Sequence, residues 1–219
     1  MEGANLQLSP EEMRLVMEPG WILTKNSIIK KVVGLFARLS EEYRVALEGL
    51  PAAPAAMAAV AGSPFGSPKI SKGENYKGLP YVMLDYPRLF GREDVLAIRT
   101  FFLWGHSFSV TIHLKGTYRD RYLPVLQQRW AELAAAGFHV GISEDEWRHE
   151  HVPETYRPMV SAEDITRKTE GIVGLPGGSG APFSGTGFLK LSGACGLDRW
   201  AEAHEVLLGL FRVLVDVLH

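Results

Sequence analysis

Arg99, Ser109, Thr111 and His113 are the residues of this chain whose types and spacing come closest to a site. They fall within residues 98–114, which read as two adjoining strands around Gly105 and His106. In the second strand Phe108, Val110, Ile112 and Leu114 alternate with Ser107, Ser109, Thr111 and His113. Alternate side chains of a strand point to opposite faces, so one face suits a core and the other carries hydroxyls and an imidazole. An arginine fork matches a carboxylate or phosphate, and an imidazole exchanges a proton near neutrality. With Phe101 beside them, these four polar residues form a candidate anion site. The same alternation is also the ordinary signature of a half-exposed antiparallel sheet, and on that ground alone a solvated outer face outweighs a site.

Register decides which side chains meet. A two-residue turn at Gly105-His106 pairs Leu103 with Phe108 and sets Arg99 beside Val110 and Ile112, where a buried guanidinium is costly. A three-residue turn, Gly105-His106-Ser107, pairs Trp104 with Phe108 and Phe102 with Val110. The core face is then Ile98, Thr100, Phe102, Trp104, Phe108, Val110, Ile112 and Leu114, and Arg99 lies opposite His113. The charge argument favours the second register, although glycine suits the first position of the shorter turn.

Other clusters carry weaker chemistry. Glu144, Asp145, Glu146, His149, Glu150 and His151 bring carboxylates and a His-x-His pair together. They sit in a charged, irregular stretch and read as a solvated loop, with no metal site expected. Cys195, between glycines and ahead of Asp198, could be a thiol at a helix start, but a small buried cysteine is the stronger reading. The glycines at 177–187 lack the Lys-Ser/Thr of a phosphate loop and lead into a strand. Tyr76 to Arg88 is rich in tyrosine and reads as a strand, a proline turn and a corner salt-bridged by Asp85 and Arg88.

The composition sets bounds. The chain has 219 residues, 46% hydrophobic and 22% charged, with a formal charge of -2. A folded protein follows, expected as one domain over 1–219, and no basic patch marks a nucleic-acid partner. The one cysteine excludes an intramolecular disulfide and fits a reducing cytoplasm. No signal segment and no membrane span are expected: residues 50–62 are broken by Pro51 and Pro54, and residues 206–218 are too few and carry Arg212 and Asp216. No motif calls for a cofactor.

The elements that must position these residues follow from periodicity and caps. Ser9, Pro10, Glu11 and Glu12 open a short helix ended by Pro19-Gly20. Asn26 caps a helix over 26–47, with Ile28, Val32, Leu35, Phe36, Leu39, Tyr43 and Leu47 on one face. Helices are also expected over 121–136 and 198–218, with short ones begun by Ser143 and Ser161. Strand signals lie at 69–71, 81–86, 97–104, 107–114, 138–142 and 188–191. Residues 50–68 read as a loose Ala/Pro/Gly-rich connection and 171–187 as a glycine-rich loop. Strands clustered in the middle predict an α+β fold: a mainly antiparallel sheet of four to six strands packed by two or three long helices. The last helix is apolar around most of its circumference. Cover by the 26–47 helix, hence a monomer, is preferred to a homodimer through that helix.

The long amphipathic helix, Tyr76-Lys77-Gly78-Leu79-Pro80, an apolar strand pair containing Trp104-Gly105 and a following helix together resemble uncharacterised bacterial cytoplasmic proteins of the YktB-like type, over residues 26–136. The resemblance implies an α+β fold with an antiparallel sheet backed by helices and transfers no catalytic residues. On function, the sequence points first to a non-catalytic protein that binds a small anionic ligand or a partner. The alternative is a small enzyme acting on an anionic metabolite, with His113 as acid or base and Arg99 as anion clamp.

Overall fold

The computed structural model describes residues 6–48, 65–167 and 187–219. Its centre is a seven-stranded sheet, antiparallel at every pairing: β1 (Lys69–Tyr76), β2 (Leu79–Phe90), β3 (Val95–Leu103), β4 (Ser107–Lys115), β5 (His139–Gly141), β6 (Tyr156–Pro158) and β7 (Phe188–Gly196), in the spatial order β1-β2-β3-β4-β7-β5-β6. The fold is therefore α+β with an antiparallel sheet, as expected, but with seven strands rather than four to six. The extra strand is β6, three residues pairing with β5, too short to leave an alternating pattern.

One face of the sheet is apolar because the alternating residues of four strands agree. Ile98, Phe102, Phe108, Val110, Ile112, Leu114, Leu189, Leu191 and Cys195 all join the main core cluster. Helices cover that face: α1 (Pro10–Met17) precedes α2 (Gly20–Leu47), and α3 (Thr117–Gln128), α4 (Trp130–Ala135), α5 (Glu163–Arg167) and α6 (Ala203–Leu218) follow. Helix α2 buries Ile29, Val32, Phe36, Leu39, Tyr43 and Leu47 at helical spacing. Its Phe36 ring meets Phe108 edge-on at 6.4 Å, and Tyr43 stacks on Phe211 of α6 at 3.6 Å. The Tyr43 hydroxyl also lies 3.0 Å from Thr100 Oγ1, which gives the one hydroxyl on the apolar face of β3 a buried partner. Thus α2 supplies the intramolecular cover expected for the last helix. No helix among the described residues is long and apolar enough to cross a membrane.

Several element boundaries differ from expectation for local reasons. Helix α2 starts at Gly20, not Asn26, because Pro19 takes the N-cap position and the Glu18 carboxylate accepts from Gly20 N at 2.9 Å. Helix α3 starts at Thr117, where Asp94 Oδ1 accepts from its backbone N and hydroxyl. A Cβ on Gly116 would stand 2.2 Å from that same carboxylate oxygen, and its φ is +59°, so glycine is required there. The expected 121–136 helix is broken at Arg129, and the last helix begins as a 3-10 turn over Leu197–Glu202. Ser143 starts no helix; its hydroxyl instead accepts from Asp145 N in a tight turn. Near Ser161 a short helix does form, and Asp164 accepts from the backbone N of Val160 and Ser161. The glycine motifs at 177–187, apart from Gly187, and most of the 50–68 connection fall outside the described residues.

Candidate functional site

Strand β3 meets β4 with Phe102 opposite Phe108, Arg99 opposite Thr111 and Ala97 opposite His113. The parity matches the three-residue turn, so the two faces are those expected, but the register is shifted by two residues. The turn is Trp104-Gly105-His106: Trp104 N donates to Pro80 O on β2 instead of pairing with Phe108, and His106 N closes on Leu103 O at 3.1 Å. Gly105 takes the left-handed conformation, φ +74°. Arg99 therefore faces Thr111 rather than His113. The slip has a consequence for shape. Ala97, with only a methyl, stands across from His113 and leaves room between the imidazole and the guanidinium.

The polar face is not solvated. Ser109, Thr111 and His113 are buried, and so are Lys190 and Ser192 of β7, which lie opposite His113 and Thr111. What covers them is the 142–155 segment, read from sequence as a solvated charged loop. Three contacts fasten it down. Lys190 Nζ donates to the carbonyls of Glu146 at 3.1 Å and Arg148 at 2.5 Å. Glu150 is buried and accepts from Lys77, Arg148 and the Tyr76 hydroxyl. The Tyr76 hydroxyl in turn accepts from His149 N at 2.7 Å. Burial works against ionisation of Glu150, but these donors outweigh it and hold its carboxyl down at about 2.

Arg99 is the hub of the face. Its Nε and Nη2 grip the two oxygens of Asp85 at 2.6 and 2.9 Å, and Nη1 lies 2.5 Å from His149 Nε2. Asp85 thus pairs with Arg99 across β2 and β3, not with Arg88 in a corner, because a bulge between them turns Arg88 out of step. Guanidinium nitrogens only donate, so His149 Nε2 must be the acceptor and the imidazole is uncharged. Burial pushes the His149 ring far below the ordinary imidazole range, with Arg99, Lys190 and His113 adding to the push. Beyond it, His151 Nδ1 lies 3.1 Å from Ser192 Oγ, which accepts from Thr111 Oγ1 at 2.8 Å. Burial first, and His139 second, hold His151 at about 4.

Between these groups lies a cleft of about 220 Å³, open to solvent, lined by Phe90, Ala97, Arg99, Thr111, His113, His149 and Lys190. Glu146 stands beside it, its Oε2 3.6 Å from His113 Nε2 and 3.5 Å from Lys115 Nζ. The ring of Trp147 rises over His113 at 6.1 Å and leaves the rim half exposed.

Of the residues expected from sequence, Arg99, Thr111 and His113 share this cleft. Phe101 does not; it is buried among Tyr76, Tyr81 and His149. Ser109 is buried between Phe101 and Ala194 and lines no opening. Sequence reasoning missed Asp85, Lys190 and the part played by His149. Lys190 was within reach: Leu189, Lys190, Leu191 and Ser192 repeat the alternation of β4. Cys195 is no helix-terminal thiol, since β7 runs on through it to Gly196 and points it into the core, where burial raises its pKa. Among the described residues no group of three or more His, Cys, Asp or Glu could hold a metal ion.

No family model, curated protein or solved structure matches this chain.

Proposed function

We propose that the protein binds a small anionic ligand, of carboxylate or phosphate size, in the cleft between Arg99, His113 and Lys190. The observation that carries this reading is the shape and charge of the cleft. Two long cationic side chains and an imidazole line a hollow that exists because Ala97 opposes His113. Asp85 and His149 occupy three of the five guanidinium N–H groups of Arg99, which leaves two for a ligand among the described residues. The rigid pairing with Asp85 fixes the fork in place, so little side-chain freedom is lost on binding. A hollow of this size admits only a small molecule, and the half-exposed Trp147 and Phe90 at its mouth offer an apolar rim.

A thermal-shift screen of small carboxylates and phosphates tests the proposal. A ligand at a hundred times its Kd stabilises the folded state by about 2.7 kcal/mol. That corresponds to several degrees in Tm for a chain of this size. Arg99→Lys keeps the charge but loses the planar fork, and should abolish the shift. A screen in which no small anion raises Tm contradicts the reading.

A second reading, a small enzyme acting on the same anion, draws on one further observation. The Glu146 carboxylate lies near His113 in the cleft that also holds Arg99. An imidazole oriented by a carboxylate beside an anion clamp is the arrangement general acid–base chemistry uses. A ligand of the screen that is chemically altered by the wild type and not by His113→Gln would establish it.

A further inference from the structure

We propose that Lys190 is an uncharged amine nucleophile that forms an imine with the carbonyl carbon of a small α-keto acid held by Arg99. The inference rests on the anion-cleft reading above and names the ligand class for it.

The argument is a count of hydrogens around His149. One ring nitrogen, Nε2, faces Arg99 Nη1 at 2.5 Å, and the other, Nδ1, faces Lys190 Nζ at 3.3 Å. Arginine only donates, so Nε2 accepts and the ring hydrogen sits on Nδ1. That hydrogen points at Lys190. An ammonium there would meet it with hydrogens of its own, and a cation would face a donor in a buried setting. An uncharged amine fits instead. Its two hydrogens go to the carbonyls of Glu146 and Arg148, and its lone pair receives Nδ1–H. Burial of the lysine favours the same state, since it disfavours the charged form. The groups facing the amine from each packed element are known. They are His113 across on β4, Tyr156 on β6 with its ring 5.9 Å away, and Glu146, Arg148 and His149 on the covering segment.

A buried lysine that only tied down the covering segment would have no reason to line an opening. Lys190 does line it, with Arg99 one imidazole away. That spacing suits a molecule whose carboxylate and carbonyl are adjacent. The carboxylate takes the remaining guanidinium N–H groups, and the carbonyl carbon lies toward Nζ. On reaction the Nζ lone pair forms the C–N bond and the carbonyl π bond opens. One amine proton moves to the oxygen, and the second leaves with the resulting hydroxyl as water. The product is an imine plus one water, with no redox change and no co-reactant. His113, beside Glu146, is the group placed to relay these protons.

The test uses the full chain with pyruvate and sodium borohydride, which reduces an imine to a stable amine, followed by peptide mass mapping. At pH 7.4 an ordinary lysine has about one amine in a thousand uncharged. Lys190 should therefore be labelled at that pH about as well as at pH 10, whereas the other lysines lose their labelling at the lower pH. Labelling confined to pH 10, or spread evenly over the lysines, overturns the proposal without recourse to any variant. Lys190→Arg, which keeps donors for the two carbonyls, should lose the site-specific label while the circular dichroism stays native. Two control probes separate this proposal from the anion reading. If lactate, an anion with no carbonyl, raises Tm but pyruvate leaves no label on Lys190, the amine proposal fails and the anion cleft stands. If propanal labels Lys190 at pH 7.4 and lactate neither raises Tm nor protects, the amine stands as a nucleophile but its keto-acid substrate is overturned together with the anion reading.

Discussion

Arg99 Nη1 meets His149 Nε2 at 2.5 Å, joining the middle of the sheet to the segment that covers it. This contact fixes the protonation state of the imidazole and turns a strand face that reads as solvated into a lined cleft.

The Asp85–Arg99 pair is largely buried on both sides, 8% and 13% exposed at the side chains. Asp85→Ala should cost about 3–5 kcal/mol, because it leaves the guanidinium in place without its carboxylate. Adding Arg99→Met should recover a good part of that loss, since two apolar side chains strand no charge. Urea unfolding of the single and double variants measures it; a double variant less stable than Asp85→Ala alone contradicts the account.

Stability should fall in acid, starting higher than carboxylates alone would produce. His151 is held at about 4 in the fold against an ordinary value near 6.5. The unfolded chain therefore takes up a proton that the folded ring refuses, so stability is full above about pH 6.5 and declines as pH falls toward 4. His149 shifts in the same direction. Glu150, held at about 2, extends the loss below about pH 4.5. Denaturant midpoints across this range should drop from about pH 6.5 downward. A flat profile between pH 6.5 and 4.5 would show that the histidines are not buried neutral.

Gly193 lets α6 approach the sheet. A Cβ there would stand 2.5 Å from Leu210 Cδ2 and 3.1 Å from Cδ1. Gly193→Val should cost about 1–3 kcal/mol by overpacking, and Leu210→Ala should partly rescue it by vacating the space. Thermal unfolding of both variants and the pair decides this. If Gly193→Val alone is as stable as the wild type, the two elements are not in close contact.

Leu214 of α6 is fully buried in the core shared with α2 and the sheet. Leu214→Asp should unfold a monomer, since even truncation of such a leucine to alanine costs about 2–5 kcal/mol. Light scattering that shows a wild-type dimer, split by the substitution into folded monomers, would place the last helix in a subunit interface instead.

The fold was legible where hydrophobic periodicity runs long. The strict alternation of 107–114, the stripe along α2 and the apolar last helix announced an antiparallel sheet with helices on one face. What the sequence hid was short or non-local. Residues 156–158 are too few to show a period. The start of α2 depends on Pro19, and that of α3 on Asp94 from a distant turn. For the site, parity placed Arg99, Thr111 and His113 on one face, but local turn chemistry set the register wrongly by two residues. Trp104 is held by Pro80, a contact across strands that no reading of the hairpin alone reveals. The covering segment was the larger loss. Its charges read as solvated because their partners, Lys77, Arg99 and Lys190, come from three other strands or turns.

The central claim is that a small anion occupies the cleft, and histidine-selective NMR during titration with pyruvate, lactate or phosphate tests it most directly. The account predicts saturable movement of the His113 and His149 ring signals, while His204, which pairs with Glu42 and Glu205 away from the cleft, stays in place. Ring signals that all remain still, or that all drift together with ionic strength, would contradict it.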